Sequence, residues 1–225
     1  MKTTVLETND PDIRLIEPDI ERDAPLSVEW LKGDSGRNTL RLMGVADKDN
    51  QPSTLQQEKE RIKDFIENDD QLNWTITYQD EVVGSVWVDT KPSEYLQSPS
   101  VHIMIGSPKA RGKGIGLSTM TAVITYLELQ GHEQIFSRYL TNNEDSINLL
   151  AKCSFKEIGK PYTDENGLEF QNVARSGRNR NVQSEAPELI LDALRLTNIV
   201  VIPHADNEAI IVSNNKAQKI KGVWL

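Results

Sequence analysis

Apolar and polar positions along residues 10–177 follow two different periods, which divide this part of the chain into short strands and longer helices. Apolar residues at every second position predict strands, whereas apolar residues three and four apart predict helices. In the first half, the pattern predicts a strand at 13–17, a helix at 24–31 that stops at Gly33, a polar stretch at 33–51, a helix from Pro52 to Glu67, and strands at 74–78 and 82–88. The three residues 79–81 predict a tight hairpin between the last two strands.

The second half continues the alternation around a glycine-rich turn. The apolar run at 101–105 predicts a strand, and the helix after the turn extends to about Gly131. Further predicted elements are a strand at 134–141, a short helix capped by Asp145 or Ser146, and strands at 155–160 and 168–173 joined by a turn at 164–167. Strands and helices interleaved in this order predict an α+β (mixed α/β) fold, with a twisted mixed sheet flanked by helices.

Residues 178–225 follow a polar linker and form a second predicted unit, separate from the domain at 1–177. A helix from Pro187 to Leu196 is predicted, followed by strands at 199–202 and 209–212 that join as a hairpin. Both strands are apolar at every position, so both of their faces require burial. Because a unit this short cannot bury them alone, we expect it to dock on the first domain or to form a homodimer interface.

Composition and charge exclude several classes of protein. The chain has 225 residues, is 37% hydrophobic and carries a formal charge of −9, which argues against general nucleic-acid binding. No apolar run reaches the roughly 18 residues of a membrane span, and the first residues lack the apolar segment of a secretory signal. The single cysteine excludes an internal disulfide. The three histidines are scattered and, together with that cysteine, do not have the spacing of metal ligands. We therefore expect a cytoplasmic protein with neither a metal nor a membrane partner.

The segment Arg111–Gly116 is the most informative part of the chain. It places Gly112, Gly114 and Gly116 between a predicted strand and a predicted helix. Such a junction presents unpaired N–H groups and the positive end of the helix dipole, which together attract phosphate. A Walker A loop is excluded, because its first glycine position holds Ser107 and its hydroxyl position holds Gly114. A dinucleotide fingerprint is also excluded, because the glycine spacing is one residue short.

The remaining pattern, Arg-Gly-x-Gly-x-Gly, resembles the pyrophosphate loop of the GCN5-related N-acetyltransferases, the GNAT family. A second motif follows at the expected distance, because residues 143–155 resemble the family's Asn-x-x-Ser/Ala-x-x-x-Tyr-Glu-Lys-x-Gly-Phe segment. The chain departs from that segment at Leu150, where many members have tyrosine, and at Ser154, where most have glycine. The resemblance covers residues 10–176, and the run at 138–143 is most similar to the branch of ribosomal-protein N-terminal alanine acetyltransferases.

This resemblance implies a GNAT fold and an acetyl-CoA-dependent N-acetyltransferase, which moves the acetyl group to a primary amine by direct attack in a ternary complex. Acceptors in this branch are a protein N-terminus, a polyamine, an aminoglycoside or a free amino acid. The resemblance also implies which residues hold acetyl-CoA, namely the end of the cofactor strand, the glycine loop and the start of the second motif: Met104, Ile105, Gly106, Arg111, Gly112, Lys113, Gly114, Ile115, Gly116 and Asn143.

The resemblance leaves the proton-transfer groups open. The usual general acid of the family corresponds to Leu150, which cannot donate a proton, so Ser146 or water is the candidate acid; Ser146 is equally a candidate helix cap. Asp89 and Glu94 follow the third strand, and either carboxylate is a candidate general base or a solvated loop residue. His102 lies on the cofactor strand, where a packed histidine is favoured over a catalytic one.

Two alternative functions also remain open. A GNAT-fold protein without a general acid could bind acyl-CoA as a sensor or assembly module without turnover. A toxin that acetylates the aminoacyl group of charged tRNA is disfavoured, because such a role requires a basic surface. Cys153 could carry an acyl group, but no base is readable beside it, so a small core residue is the favoured interpretation.

Overall fold

The computed structural model describes residues 5–46 and 51–177, together with the backbone of residues 199–204, 208–213 and 216–221. These residues belong to two compact units, which divide after Gly177. Within the described ranges, no helix is both long enough and apolar enough to cross a membrane.

The described residues of the first unit form eight strands and five α-helices. The strands are β1 (Leu6–Glu7), β2 (Ile13–Ile16), β3 (Gln71–Tyr78), β4 (Glu81–Asp89), β5 (Ser100–Ile105), β6 (Gln134–Leu140), β7 (Lys156–Thr163) and β8 (Glu169–Ser176). The helices are α1 (Ile20–Trp30), α2 (Gly33–Leu42), α3 (Leu55–Glu67), α4 (Ile115–Leu129) and α5 (Glu144–Lys152). The predicted α+β class is confirmed.

All eight strands form one mixed sheet in the order β1-β2-β3-β4-β5-β6-β8-β7. Neighbouring strands are antiparallel, except that β5 and β6 are parallel and share the single register pair Ser100 and Phe136. The predicted hairpin between β3 and β4 is also present, and both of its turn residues, Gln79 and Asp80, have positive φ, as a type I′ turn requires.

The two faces of the central strands differ in polarity. One face is apolar and packs on α4, where Trp74 meets Tyr126 edge to face with ring centroids 5.7 Å apart. The opposite face lies beneath α1 and α3, and its β3 residues are polar. Thr75 donates a hydrogen bond to Asp23 of α1, and Asn73 donates one to a backbone carbonyl of α3. Since strand residues alternate between faces, Asp89 and His102 belong to this polar face as well.

The sequence pattern placed several helix boundaries wrongly and missed α2. Residues 33–51 were expected to be a polar stretch, but Gly33–Leu42 is a helix whose buried residues are Gly36, Thr39 and Leu40. Thr39 and Leu40 follow Gly36 by three and four residues, which is the helical period. This period is hard to recognise in a segment rich in glycine and polar residues. Helix α1 begins four residues earlier than expected, after an Asp19 cap. Helix α3 begins after a Thr54 capping box rather than at Pro52.

The second unit contains a three-stranded antiparallel sheet in the order β11-β10-β9. Its strands are β9 (Ile199–His204), β10 (Glu208–Ser213) and β11 (Lys216–Lys221). The predicted hairpin is therefore present, and a third strand was missed because its lysine-rich sequence has low β-propensity. The helix predicted from Pro187 to Leu196 lies outside the described residues.

Candidate active site

A cleft opens between β5 and β6. The two strands are joined where β5 begins, and there the Phe136 N–H donates to the Pro99 carbonyl at 2.9 Å and the Ser137 hydroxyl donates to the Val101 carbonyl at 2.8 Å. They share no further ladder pair, whereas β5 remains paired with β4 as far as Ile105. Among the described strands, the edge of β5 that faces β6 thus has no partner at the residues expected to bind the pantetheine arm.

The glycine loop follows β5 after a short 3-10 turn at Pro108–Ala110. Gly112 and Gly114 have φ values of +74° and +81°, and Gly114 is the N-cap of α4, which begins at Ile115. A Cβ added at Gly112 or Gly114 would meet nothing within 4 Å, so both glycines border open space. The first amides of α4 have no intrahelical acceptor, which makes this helix end an anion site of the expected kind.

Arg111 connects the loop to both β5 and α2. Its Nε donates to the Ile105 carbonyl at 3.1 Å, and an Nη donates to the Thr39 hydroxyl at 2.9 Å. Lys113, two residues on, lies over the Tyr78 ring with its Nζ 5.2 Å from the centroid. The loop therefore combines free amides with two exposed cations, a combination that suits a pyrophosphate.

Asn143 lies on the other side of the cleft, at the start of α5. Its Oδ1 accepts from the Ser146 N–H at 3.1 Å, so Asn143 is the helix cap; the expectation of Asp145 or Ser146 in that role was wrong. Its Nδ2 donates to the Leu42 carbonyl at 3.3 Å. Helix α2, which was not predicted from the sequence, thus contacts the glycine loop on one side of the cleft and the second motif on the other.

Two residues that raised questions in the sequence are buried. Leu150 packs in the core, so the position of the family's usual tyrosine is apolar and enclosed here. Cys153 is 5% exposed, and burial raises the pKa of its thiol although the charge of Arg175 opposes the shift. A thiol with a raised pKa is a poor nucleophile, which agrees with its interpretation as a core residue.

Asp89 and His102 form a hydrogen-bonding contact on the polar face of the sheet. The imidazole Nε2 lies 3.0 Å from Oδ2 of Asp89 and 3.2 Å from the Ser100 hydroxyl. The other carboxylate oxygen accepts from Nε2 of Gln71 at 2.6 Å. Burial raises the pKa of Asp89. The opposing causes are stronger and lower the pKa below its ordinary value: the hydrogen bond and charge of His102, the hydrogen bond from Gln71 and the charge of Arg138.

Aromatic rings fix the orientation of this pair. The His102 ring stacks on Trp87 with centroids 5.3 Å apart and an interplanar angle of 17°, and Trp87 in turn contacts Phe65 of α3 at 5.8 Å. The His102 side chain is 19% exposed, so it is packed but still accessible. Sequence analysis treated Asp89 and His102 separately because their pairing depends on the register of β4 with β5.

The other candidate proton groups lie apart from this pair. Glu94 is exposed on the loop after β4, where its charge is the main cause that raises the pKa of Tyr95. Ser146 is half-buried in the first turn of α5, and its amide is bound by Asn143. Among the described residues, neither Glu94 nor Ser146 contacts Asp89 or His102, so the structure does not bring the three candidates together.

A small cavity of about 20 Å³ adjoins the same face, between α1, α3, β3 and β4. Its lining includes Trp30, Asn73 and Ser85; Asn73 is 4% exposed, and its Oδ1 and the Ser85 Oγ have no partner among the described residues. A cavity of this size holds one water, which could satisfy both oxygens. Among the described residues, no cluster of three histidine, cysteine or acidic side chains could hold a metal.

Residues 13–156 match the family model of the acetyltransferase (GNAT) domain. The chain therefore belongs to the GNAT acetyltransferase family, and the family expected from its two motifs is confirmed. It is an N-acetyltransferase that uses acetyl-CoA as co-substrate and an amine as acceptor. The matches favour neither the non-catalytic sensor nor the aminoacyl-tRNA-acetylating toxin.

Individual relatives are more distant. The chain is 27% identical over 158 residues to alpha/beta-tubulin-N-acetyltransferase 9 of Drosophila melanogaster, a match that covers 64% of this chain and 75% of the relative. Among solved structures, the microcin C7 self-immunity acetyltransferase MccE with acetyl-CoA and AMP has a TM-score of 0.61 at 16% identity, over 75% of this chain and 94% of its own. The ribosomal L7/L12 alpha-N-protein acetyltransferase RimL with coenzyme A has a TM-score of 0.61 at 13% identity, over 77% and 98%. Both structures share the fold.

Proposed function

We propose that this enzyme acetylates the α-amine at the N-terminus of a protein or peptide, by direct attack on acetyl-CoA in a ternary complex. The names of the relatives support this acceptor class, since one acts on tubulin and another on the N-terminus of a ribosomal protein. The polyamine, aminoglycoside and free amino acid remain the competing acceptors.

The observation that carries the proposal is that the carboxylates on the polar face already have hydrogen-bonded partners within the protein. Asp23 is bound by the adjacent Arg22 at 2.9 Å, Glu58 by Arg61 at 2.7 Å, and Asp89 by His102 at 3.0 Å. A polyamine or an aminoglycoside brings several cations, and each would require an unpaired carboxylate when it leaves water. A peptide N-terminus brings one cation, together with backbone groups that can form strand-like hydrogen bonds.

Within this proposal, each cofactor-binding residue has a defined task. The Arg111–Gly116 loop binds the pyrophosphate through the amides at the start of α4, with the charges of Arg111 and Lys113 nearby. The free edge at 104–106 pairs with the amide groups of the pantetheine arm, and Asn143 contacts that arm from the opposite side. A backbone N–H near Ile105 donates to the developing oxyanion of the thioester.

The chemistry then needs a proton acceptor for the ammonium and a proton for the leaving thiolate. The neutral amine attacks the thioester carbon, the C–N bond forms, and the C–S bond breaks with its electron pair on sulfur. Coenzyme A thiolate is a fair leaving group, so solvent or the Ser146 hydroxyl suffices to protonate it. Because Cys153 is buried, no covalent acetyl-enzyme is expected, and two-substrate kinetics should show intersecting lines rather than a ping-pong pattern.

A panel of acceptors tests the proposal. Coenzyme A release is measured with a peptide carrying a free N-terminus, with the same peptide blocked at its N-terminus but containing lysine, with spermidine and with an aminoglycoside. The free peptide should have the highest kcat/KM, and the blocked peptide should be inactive. Higher kcat/KM with spermidine or the aminoglycoside would contradict the proposed acceptor.

We also propose that the unit at 178–225 contributes to a homodimer. Strand β9 pairs only with β10 among the described strands, and its residues 199–202 are all apolar, which is typical of an edge that seeks a partner. Truncation after Gly177 should lower the particle mass measured by light scattering. A truncated protein whose oligomeric state and melting temperature match those of the full chain would contradict this proposal.

A further inference from the structure

We propose that His102 is the proton acceptor of the reaction, and that Asp89 and Gln71 are positioning residues that orient its ring. This inference rests on the proposed amine-transfer function and names the group that deprotonates the acceptor. It differs from the expectation from sequence, in which Asp89 and Glu94 were the candidate bases and a packed His102 was favoured over a catalytic one.

The hydrogen bonds of the imidazole define which nitrogen is available. Nε2 of His102 lies 3.0 Å from a carboxylate oxygen of Asp89, and an ionised carboxylate can only accept a hydrogen bond. Nε2 therefore carries the hydrogen, and the lone pair of the neutral ring is on Nδ1. Among the described residues, no polar atom contacts Nδ1, so this nitrogen is free to receive a proton.

Asp89 is less suited than His102 to take the proton itself. Each of its carboxylate oxygens is bound, one by Gln71 at 2.6 Å and one by His102 at 3.0 Å. Those bonds and the charge of Arg138 lower the pKa of Asp89 despite its burial, which makes the carboxylate a weaker base. The same contacts make it an effective anchor, because it holds one ring tautomer and stabilises the imidazolium that forms.

His102 also has a suitable position and a fixed orientation. It lies on the same face of β5 as Met104, two residues before it. Strand β5 ends at Ile105, the residue after Met104, on the edge that borders the cleft. At a strand rise of about 3.3 Å per residue, the Cα of His102 lies roughly 10 Å from that of Ile105, so the proton is expected to move through bridging water rather than by direct contact. Trp87 covers one face of the ring, and Phe65 of α3 supports Trp87.

The proton balance of the step is complete with these groups. Nδ1 of His102 takes one proton from the acceptor ammonium, which leaves a neutral amine and an imidazolium beside Asp89. After the amine attacks and the C–S bond breaks, the second N–H proton of the acceptor nitrogen goes to the thiolate. His102 then releases its proton to solvent, so one proton leaves for each acetyl group transferred.

Steady-state kinetics on the full chain with a free-amine peptide test the role of each residue. His102→Gln keeps a donor toward Asp89 but cannot take a proton, so kcat/KM should fall by about a hundredfold or more, and the acidic limb of its pH profile should disappear. Asp89→Asn removes the charge that stabilises the imidazolium, so the acidic limb should move to lower pH. A purely structural role of Asp89 would not move that limb.

Two control variants and one spectroscopic measurement complete the test. His132→Gln changes an exposed histidine beyond the end of α4, and Glu94→Gln removes the competing carboxylate; both should retain the wild-type kcat/KM and pH profile. Nitrogen NMR of histidine-labelled protein should assign His102 as the Nε2–H tautomer at neutral pH, with the signal identified by its absence from His102→Gln. The thermal shift caused by acetyl-CoA should be the same in all variants.

The outcomes separate this inference from the function on which it rests. Suppose that the wild type releases coenzyme A with the peptide, and that His102→Gln keeps the wild-type kcat/KM and the acidic limb of the pH profile. The proposed role of His102 is then wrong, whereas the proposed acetyl-transfer function is retained. An Nδ1–H tautomer, or a loss of the limb in Glu94→Gln, would also overturn the proposed role of His102. If the wild type transfers acetyl to no amine at all, both proposals fail.

Discussion

The indole of Trp30, the last residue of α1, lies directly against the Cα of Gly106, the residue that follows β5. A Cβ added at Gly106 would be 2.1 Å from Cε3 of the indole, a distance that real Cβ contacts do not reach. Trp30 also lines the small cavity between α1, α3, β3 and β4. This contact therefore joins α1, which covers the polar face, to the end of β5. We propose that this strand end pairs with the pantetheine arm.

Gly106→Ala is expected to displace Trp30 and to destabilise the protein by about 1–3 kcal/mol, the usual cost of overpacking. Denaturant unfolding and acetyl-CoA binding both measure the effect. Trp30→Ala removes the clashing ring, so the double variant should lose less stability than the sum of the two single variants. Strictly additive losses would mean that the contact does not set the conformation of the strand end.

Gly114→Trp is expected to abolish the stabilisation of the protein by acetyl-CoA, because a side chain there would fill the space in front of the helix N-terminus. The wild type should gain about 2.7 kcal/mol at a hundredfold excess over Kd. Gly131→Trp is the matched control, since Gly131 has a similar φ of +87° and similarly open surroundings but follows the other end of α4. Equal ligand shifts in the two variants would contradict the placement of the pyrophosphate.

Ser154→Gly is expected to stabilise the protein by about 0.5–1 kcal/mol. Ser154 has a φ of +65° and closes a Schellman motif at the end of α5, in which the Phe155 N–H donates to the Leu150 carbonyl at 3.0 Å. Glycine adopts this conformation without the steric cost of a Cβ. Ser35→Gly, within α2, should instead destabilise by a similar amount. A Ser154→Gly variant no more stable than the wild type would show that the turn carries no such strain.

Tyr139 should make the stability of the protein pH-dependent in alkali. Burial, followed by the hydrogen bond to Glu157 at 2.7 Å and the charge of that carboxylate, raises the pKa of Tyr139 from 10 to about 12. Because folding favours the neutral phenol, its contribution is complete below pH 10 and is lost as the pH rises toward 12. Urea unfolding of Tyr139→Phe should show a smaller decrease over this range. An identical decrease in both proteins would contradict the assignment.

The cofactor loop was predictable from sequence because its information is local. Gly112 and Gly114 occupy positive φ values, and the helix begins at Ile115, immediately after the last of them. A glycine pattern between an apolar run and a helical pattern is enough to specify such a loop. The second motif was predictable for the same reason, although the capping residue proved to be Asn143.

The remainder of the site depends on contacts between distant segments. His102 faces Trp87 across the β4–β5 ladder, and the long loop at 90–99 between the two strands leaves that register unspecified by local sequence. The contact between Asn143 and Leu42 crosses about a hundred residues of sequence. Helix α2 was missed because its buried face consists of only Gly36, Thr39 and Leu40, two of which are poor helix formers.

The most direct test of the account is to follow a labelled acetyl group from acetyl-CoA to a peptide that contains both a free N-terminus and an internal lysine. Single-turnover mass spectrometry locates the label and counts the coenzyme A released. The account predicts one label per coenzyme A, on the N-terminal amine, with no label on the enzyme. Coenzyme A release without labelled peptide, or label on the lysine or on the enzyme, would contradict it.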